Sequence, residues 1–241
     1  MTRLASVLTW EGKNEQAEKL QREALEIEQR TLGAENSDTL HTTDGLIVIL
    51  WMEGDPKRYH EAEDLQRKTL PTVQRVLGPT HPETVVAMNS LAIILRKEGK
   101  YGEAESILRE VVSLSARVFG PEHPDTINFR NNLAFTVARE GRYGEAEQLY
   151  AESRAVQARI LGPNHHDTAN STYNMACLEA LQGRKQEALV LLRDSVAHGL
   201  EPRTAREIGN DGDLNSLHGD PQFDLLVSQA KNMSSGAEAH R

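Results

Sequence analysis

A single cysteine, Cys177, leaves this chain no intramolecular disulfide, so redox crosslinking contributes nothing to its fold and a reducing compartment is compatible. Long apolar runs are missing too. The longest, residues 46–52, is far too short to span a bilayer, and no charged-then-apolar leader opens the chain. The expectation is a cytoplasmic protein with no membrane partner. Basic residues are in deficit: 27 Lys and Arg against 36 Asp and Glu give a formal charge of −9. Binding to a phosphate backbone needs clustered cations, so nucleic acid is not an expected partner. There is no Gly-rich phosphate loop, no Cys-x-x-Cys and no His-Glu-x-x-His, hence no motif for a cofactor or a metal. What remains is a folded chain of 241 residues, 38% hydrophobic and 26% charged, long enough to bury a sizeable core.

The dominant feature is a repeat. Leu77-Gly78-Pro79-Thr80-His81-Pro82-Glu83-Thr84 returns as Phe119-Gly120-Pro121-Glu122-His123-Pro124-Asp125-Thr126 and as Leu161-Gly162-Pro163-Asn164-His165-His166-Asp167-Thr168, with a degenerate copy at residues 32–39. Thr39, Thr84, Thr126 and Thr168 are therefore 45, 42 and 42 apart. A second marker, Gly-Lys-Tyr-Gly-Glu-Ala-Glu at residues 99–105, matches residues 141–147, with weaker copies around Ala17, Ala62 and Ala188 in the same register. The three extra residues fall in the turn at residues 54–58.

Each unit reads as two helices. Asp125 is the expected N-cap of a helix A over residues 126–140, which Gly141 terminates; a longer helix B over residues 144–161 ends at Gly162-Pro163. Apolar residues on more than one face suit hairpins sandwiched between neighbours. The predicted fold is all-α, an α-solenoid of antiparallel helix hairpins. Repeat two carries Gly45 in helix A, Pro71 in helix B and the insertion, so it should be the least regular unit, through drift at a tolerated convex position or as a functional hinge.

These residues resemble the tetratricopeptide repeat, with a helix A ending in Gly-Arg-Tyr and a helix B opening in Glu-Ala-Glu. The 42-residue period, the Leu-Gly-Pro-x-His-Pro-Asp-Thr loop and Asn131-Asn132-Leu133-Ala134 are similar to the kinesin light chain class, whose relatives occur in many bacterial and fungal multidomain proteins. The resemblance covers about residues 1–200, four or five hairpins, and implies a right-handed superhelix. Residues 201–230, with Asp211-Gly212-Asp213-Leu214 and Gly219-Asp220-Pro221, resemble a closing element of bacterial arrays and are expected to cap the last hairpin. Residues 231–241 read as a disordered tail. Arg3-Leu4-Ala5 aligns with Asn132-Leu133-Ala134, so the chain begins inside a helix A. Leu4, Val7, Leu8 and Trp10 would then offer apolar surface, and a fragment of a longer protein able to self-associate through this truncated repeat is the expectation.

Catalytic readings are weak. The loop histidines His81, His123, His165 and His166 recur about two helix layers apart, each roughly 8–10 Å, whereas zinc needs its ligands about 2 Å from one ion; they are expected to shape the inter-repeat turn. Asp194, Ser195 and His198 mimic a catalytic set but are neighbours on one helix. Cys177 reads as a buried thiol. Glu103, Glu105, Glu145 and Glu147 are sufficiently explained by the helix dipole.

The resemblance places helix A on the inner face of the superhelix. The stripe Asn128, Asn131, Phe135 and Arg139, with Val86, Asn89, Ile93 and Lys97 before it and Asn170, Tyr173, Cys177 and Leu181 after it, would then line a groove. Asn132, Asn174 and Arg96 join the candidate set. Amides suit an extended peptide backbone, and Arg96, Lys97 and Arg139 point to an acidic ligand. The resemblance implies a non-catalytic scaffold that binds a peptide or protein in this groove without cofactor or metal. A regulatory module of a larger kinase or nucleotide-switch protein is the alternative. Whether the Asn side chains meet a ligand or stitch neighbouring helices stays open.

Overall fold

The structure, a computed structural model, describes residues 2–10, 12–52 and 55–238. It divides into two compact units, Met1–Phe129 and Arg130–Arg241. The first holds α1 (Thr2–Trp10), α2 (Asn14–Thr31), α3 (Ser37–Met52), α4 (Pro56–Leu77), α5 (Pro82–Lys97), α6 (Tyr101–Val118) and the start of α7 (Pro124–Arg139). The second continues α7 and adds α8 (Tyr143–Ile160), α9 (His166–Leu181), α10 (Lys185–Ala197), α11 (Pro202–Glu207), two 3₁₀ segments (Ile208–Asn210 and Gly212–Leu217) and α12 (Pro221–Glu238). No strand occurs among the described residues. Each unit is a stack of antiparallel hairpins in which odd-numbered helices to α9 are helix A and even-numbered helices to α10 are helix B.

The repeat markers are packing and turn devices. Ala17, Ala62, Ala104, Ala146 and Ala188 are all fully buried, one per helix B, because only a small side chain lets the two helices of a hairpin approach at that level. Gly141 adopts a φ of +80°, and the next amide, Arg142, reaches back to the Val137 carbonyl at 3.2 Å, closing helix A. Gly120, with φ +104°, turns the chain after helix B, where Pro121 has no amide to send back and the Phe119 amide makes the last bond, to the Ser115 carbonyl at 2.8 Å.

The start of helix A differs from expectation. His123, not Asp125, supplies the cap: its Nδ1 accepts from the Asp125 amide at 3.2 Å, and the helix begins at Pro124. Proline fits the first helical position because it lacks the N–H that would go unpaired there. The same bond recurs from Glu83 to His81 at 3.3 Å and from Asp167 to His165 at 3.2 Å, and Asn36 takes the role for Asp38 at 2.9 Å. The buried hydroxyls of Thr84, Thr126 and Thr168 then donate to the carbonyls of Gly78, Gly120 and Gly162 at 2.7, 2.8 and 2.9 Å. Each loop is thus pinned to its own following helix.

Repeat two is more ordered than its composition suggests. The insertion extends α4 by a turn at its N-terminus, capped by Asp55, whose carboxylate accepts from the Lys57 amide; Gly54, part of the expected turn, lies outside the described residues. α4 runs unbroken through Pro71, which is exposed as is Arg67 one turn before it, so the carbonyl deprived of its amide donor lies on the solvent side. Gly45 has a packing reason. A Cβ there would sit 2.3 Å from Gln21 Nε2, which donates to the Thr42 carbonyl at 2.9 Å. Gln66 repeats that bond to Ala87 at 2.9 Å.

Glu103 and Glu145 stand in the first turn of helix B, where the dipole favours acids, and they are ion-paired as well, within a set of carboxylates that also bridges hairpins. In the first unit Arg58 grips Glu18 with two bonds of 2.8 Å, Lys100 reaches Glu63 at 2.8 Å, and Arg67 links Glu63 and Glu103 at 2.8 and 2.6 Å. Glu105 pairs with Arg109, and in the second unit Glu145 with Arg142. Burial raises the Glu63 pKa, but hydrogen bonds from Lys100 and Arg67 outweigh it and bring the pKa from 4.5 down to about 2. A depressed folded pKa means this carboxylate stabilises the fold above pH about 4.5 and ceases to as pH falls toward 2. Urea midpoints measured from pH 6 to 3 should therefore drop less steeply in Glu63→Gln than in wild type, the two lines converging at the acid end.

The C-terminal segment is built into the second unit. Leu200, Ala205, Ile208, Leu214, Leu217, Phe223, Leu226 and Ala230 join Tyr173, Ala176, Cys177, Leu189, Leu192 and Val196 in one buried cluster. α12 continues to Glu238, so residues 231–238 of the stretch expected to be disordered are helical; residues 239–241 lie outside the described residues. At the other end Leu4 and Val7 are 54% and 52% exposed, while the side chain of Trp10 lies outside the described residues.

Candidate functional site

The predicted stripe meets different surroundings in the two units. In the second unit Asn131 Nδ2 donates to Ser171 Oγ at 3.2 Å, stitching α7 to α9, and Ser171 in turn donates to Gln157 at 2.6 Å. For Asn131 the structural role is the one observed. Asn132 is half-buried and its carbonyl accepts from Thr136; Asn170 Oδ1 accepts from the Glu201 amide at 3.5 Å.

Phe135, Arg139, Tyr173 and Asn174 do converge, but on the chain itself. With Asp211 and Asp213 they surround a cavity of about 60 Å³, room for a water or two. Arg139 pairs with Asp213 and lies 4.8 Å from the Phe135 ring centroid. The Tyr173 hydroxyl donates to Asp211 at 2.5 Å. Burial first, then the nearby Cys177 and Asp211, pushes the Tyr173 pKa up, and burial with Asp211 and Asp213 does the same to the Cys177 thiol, which stays protonated. The expected acidic ligand of Arg139 is therefore already in place as Asp213. Sequence periodicity missed this because residues 201–230 lie outside the repeat.

In the first unit the stripe runs from buried to exposed. Asn89 is buried, Ile93 and Arg96 are half-buried, and Lys97 and Asn128 are exposed. None of these five borders the sizeable cleft of this unit. That cleft, about 270 Å³, is lined by α3 and α5, each packed on α4, by α4 itself, and by Phe119 and Asp125. Leu40, Ile47, Val73, Leu77, Val86 and Phe119 form its apolar walls; His41, Asp44, Glu83 and Asp125 are its titratable groups, with the neutral Gln66 and Thr69 beside them. Of the stripe residues only Val86 reaches it. A signal was present in the sequence: Asp44 stands at the ladder position that Asn89, Asn131 and Tyr173 occupy at intervals of 45, 42 and 42. Asp44 Oδ1 is buried without a hydrogen-bond partner, and burial, only partly offset by His41, raises its pKa.

The catalytic and metal mimics make structural contacts. Ser195 is fully buried and donates to the Leu192 carbonyl at 2.8 Å, while His198 pairs with Asp194 at 3.0 Å one turn away. His165, His166 and Asp167 present ligand atoms within 4.8 Å of one another, but the His165 Nδ1 is the helix cap. Glu63 and Glu98, near His60, bracket the Lys100 ammonium at 2.8 Å each. No helix among the described residues is long and apolar enough to cross a membrane.

Comparison with known proteins agrees with this architecture. Tetratricopeptide repeat family models match residues 57–116, 87–143 and 125–198, and residues 1–38. A putative kinesin light chain of Podosopora anserina, built of nearly identical TPR-like repeats, is 25% identical and superposes with a TM-score of 0.68 over 85% of this chain and 95% of its own. A variant of that protein gives 0.70 over 85% and 94%. BtubC (BKLC) of P. vanneervenii, 20% identical, superposes with a TM-score of 0.67 over 93% of this chain and 92% of its own. No curated protein matches the chain in sequence.

Proposed function

We propose that this chain, which belongs to the tetratricopeptide repeat family and to its kinesin light chain-like class, is a protein-interaction scaffold that takes an extended segment of a partner on the helix A side of its first unit. The observation that carries this reading is the cleft between α3 and α5, concave, walled by apolar side chains and edged by a few polar groups, the usual composition of a site that anchors one side chain of a ligand. The second unit supports it by analogy, since there the helix A stripe holds a non-repeat segment of the same chain through Arg139 and Tyr173. No reaction is part of the proposal.

The test uses peptides displayed on phage and selected on the whole protein. Val86 is 38% exposed at the mouth of the cleft, so Val86→Trp fills the space with little effect on folding. Peptides that bind the wild type with dissociation constants of about 1–100 μM should bind Val86→Trp at least about tenfold more weakly in fluorescence anisotropy, one lost anchor being worth about 1.4 kcal/mol or more. Equal affinity for both proteins would mean that docking occurs elsewhere.

A further inference from the structure

We infer that the cleft between α3 and α5 is an anchor pocket for a basic side chain, arginine or lysine, of the docked segment. This rests on the scaffold reading and adds the chemistry of the partner. The titratable groups lining the cleft are three carboxylates, Asp44, Glu83 and Asp125, with one imidazole, His41, and no Lys or Arg. Its lining supplies no permanent counter-charge, in contrast to the second unit, where Arg139 meets Asp213. Asp44 is half-buried, and its Oδ1 is buried without a hydrogen-bond partner. The neighbouring Gln66 Oε1 is a second buried acceptor without a donor, its amide nitrogen being engaged by the Ala87 carbonyl.

A buried carboxylate oxygen without a donor is costly, and a guanidinium or ammonium removes that cost by supplying charge and hydrogen-bond donors together. The walls suit the remainder of such a side chain. Leu40, Ile47, Val73 and Leu77 would cover an aliphatic stem, as Lys and Arg stems pack along apolar surface while the charged head meets its partner. Glu83 is exposed, so the pocket extends its acidity to the mouth, and Val86 flanks the entry. At about 270 Å³ the space exceeds what one basic side chain fills, leaving room for an apolar neighbour. The acidic ligand anticipated from Arg96, Lys97 and Arg139 is the opposite of what this cleft would select.

Three small probes separate charge from shape: n-hexylguanidinium, its neutral isostere n-hexylurea, and hexanoate. Titrated into ¹⁵N-labelled protein, hexylguanidinium should shift backbone amides of α3 and α5 saturably and bind at least about tenfold tighter than hexylurea, the scale of a hydrogen bond to a charged group. Hexanoate should leave those amides in place. Asp44→Asn, checked for an unchanged unfolding midpoint, should bring hexylguanidinium down to hexylurea. If Asp44→Asn fails to fold, Glu83→Gln at the exposed mouth should still cut the preference about two- to threefold, the scale of a partly screened charge. The proposal is overturned if hexylurea matches hexylguanidinium on the wild type, if hexanoate competes, if the available variant keeps the full preference, or if no probe shifts α3 and α5. Hexylurea binding as well as hexylguanidinium would remove the basic anchor and leave the docking cleft standing. Selected peptides indifferent to Val86→Trp would remove the docking cleft itself.

Discussion

Replacing Phe223 with alanine lowers the unfolding free energy by about 3–5 kcal/mol, the cost of emptying a fully enclosed aromatic site. Phe223 is 2% exposed and belongs to the cluster that joins α12 and the 3₁₀ segments to α9 and α10. Its ring also lies 5.4 Å from that of His218, centroid to centroid, a ring contact that truncation removes with the rest. Phe223→Leu, which keeps most of the volume, should lose under half as much. The measurement is urea unfolding by circular dichroism. A segment that merely lay against the last hairpin would cost little when truncated, and a loss below about 1 kcal/mol would show that residues 201–238 are dispensable to the second unit.

The triple variant Thr84→Val, Thr126→Val and Thr168→Val should cost about 3 kcal/mol, near the sum of three single losses of about 1 kcal/mol each. Each hydroxyl is buried and donates to a glycine carbonyl of its loop, and valine keeps the shape while leaving that carbonyl unpaired. Thr39 provides the internal control. It holds the same repeat position and is 1% exposed, but its Oγ1 has no partner, so Thr39→Val should be neutral or slightly stabilising. A Thr39→Val loss equal to the others would mean that the effect comes from helix propensity and not from the loop bond.

Several features of the fold could be read directly from the chain. Two markers recurring at 42 residues set the register, the alternating hairpins and the buried helix B alanines, because each repeat solves the same local packing problem with the same residues. Turn glycines with positive φ were legible for the same reason. The cap is not legible in the chain: aspartate is a common N-cap, and only the folded loop brings the histidine ring nitrogen to the amide two residues on. Gly45 and Pro71 looked like flaws until Gln21 and the exposed side of α4 were in view.

The site divides along the same line. Periodicity alone determined which residues share a helix A stripe, since spacing of three and four fixes a face of a helix whatever surrounds it. It could not say what lies on that face. Tertiary structure decided that Asn131 binds Ser171, that Arg139 and Tyr173 are satisfied by Asp213 and Asp211 from outside the repeat, and that Asp44, where the ladder departs from the Asn pattern, borders the open cleft. A repeat pattern encodes contacts made at fixed sequence separation. Contacts supplied by a segment that does not repeat, and space left between packed helices, exist only once the chain has folded back on itself.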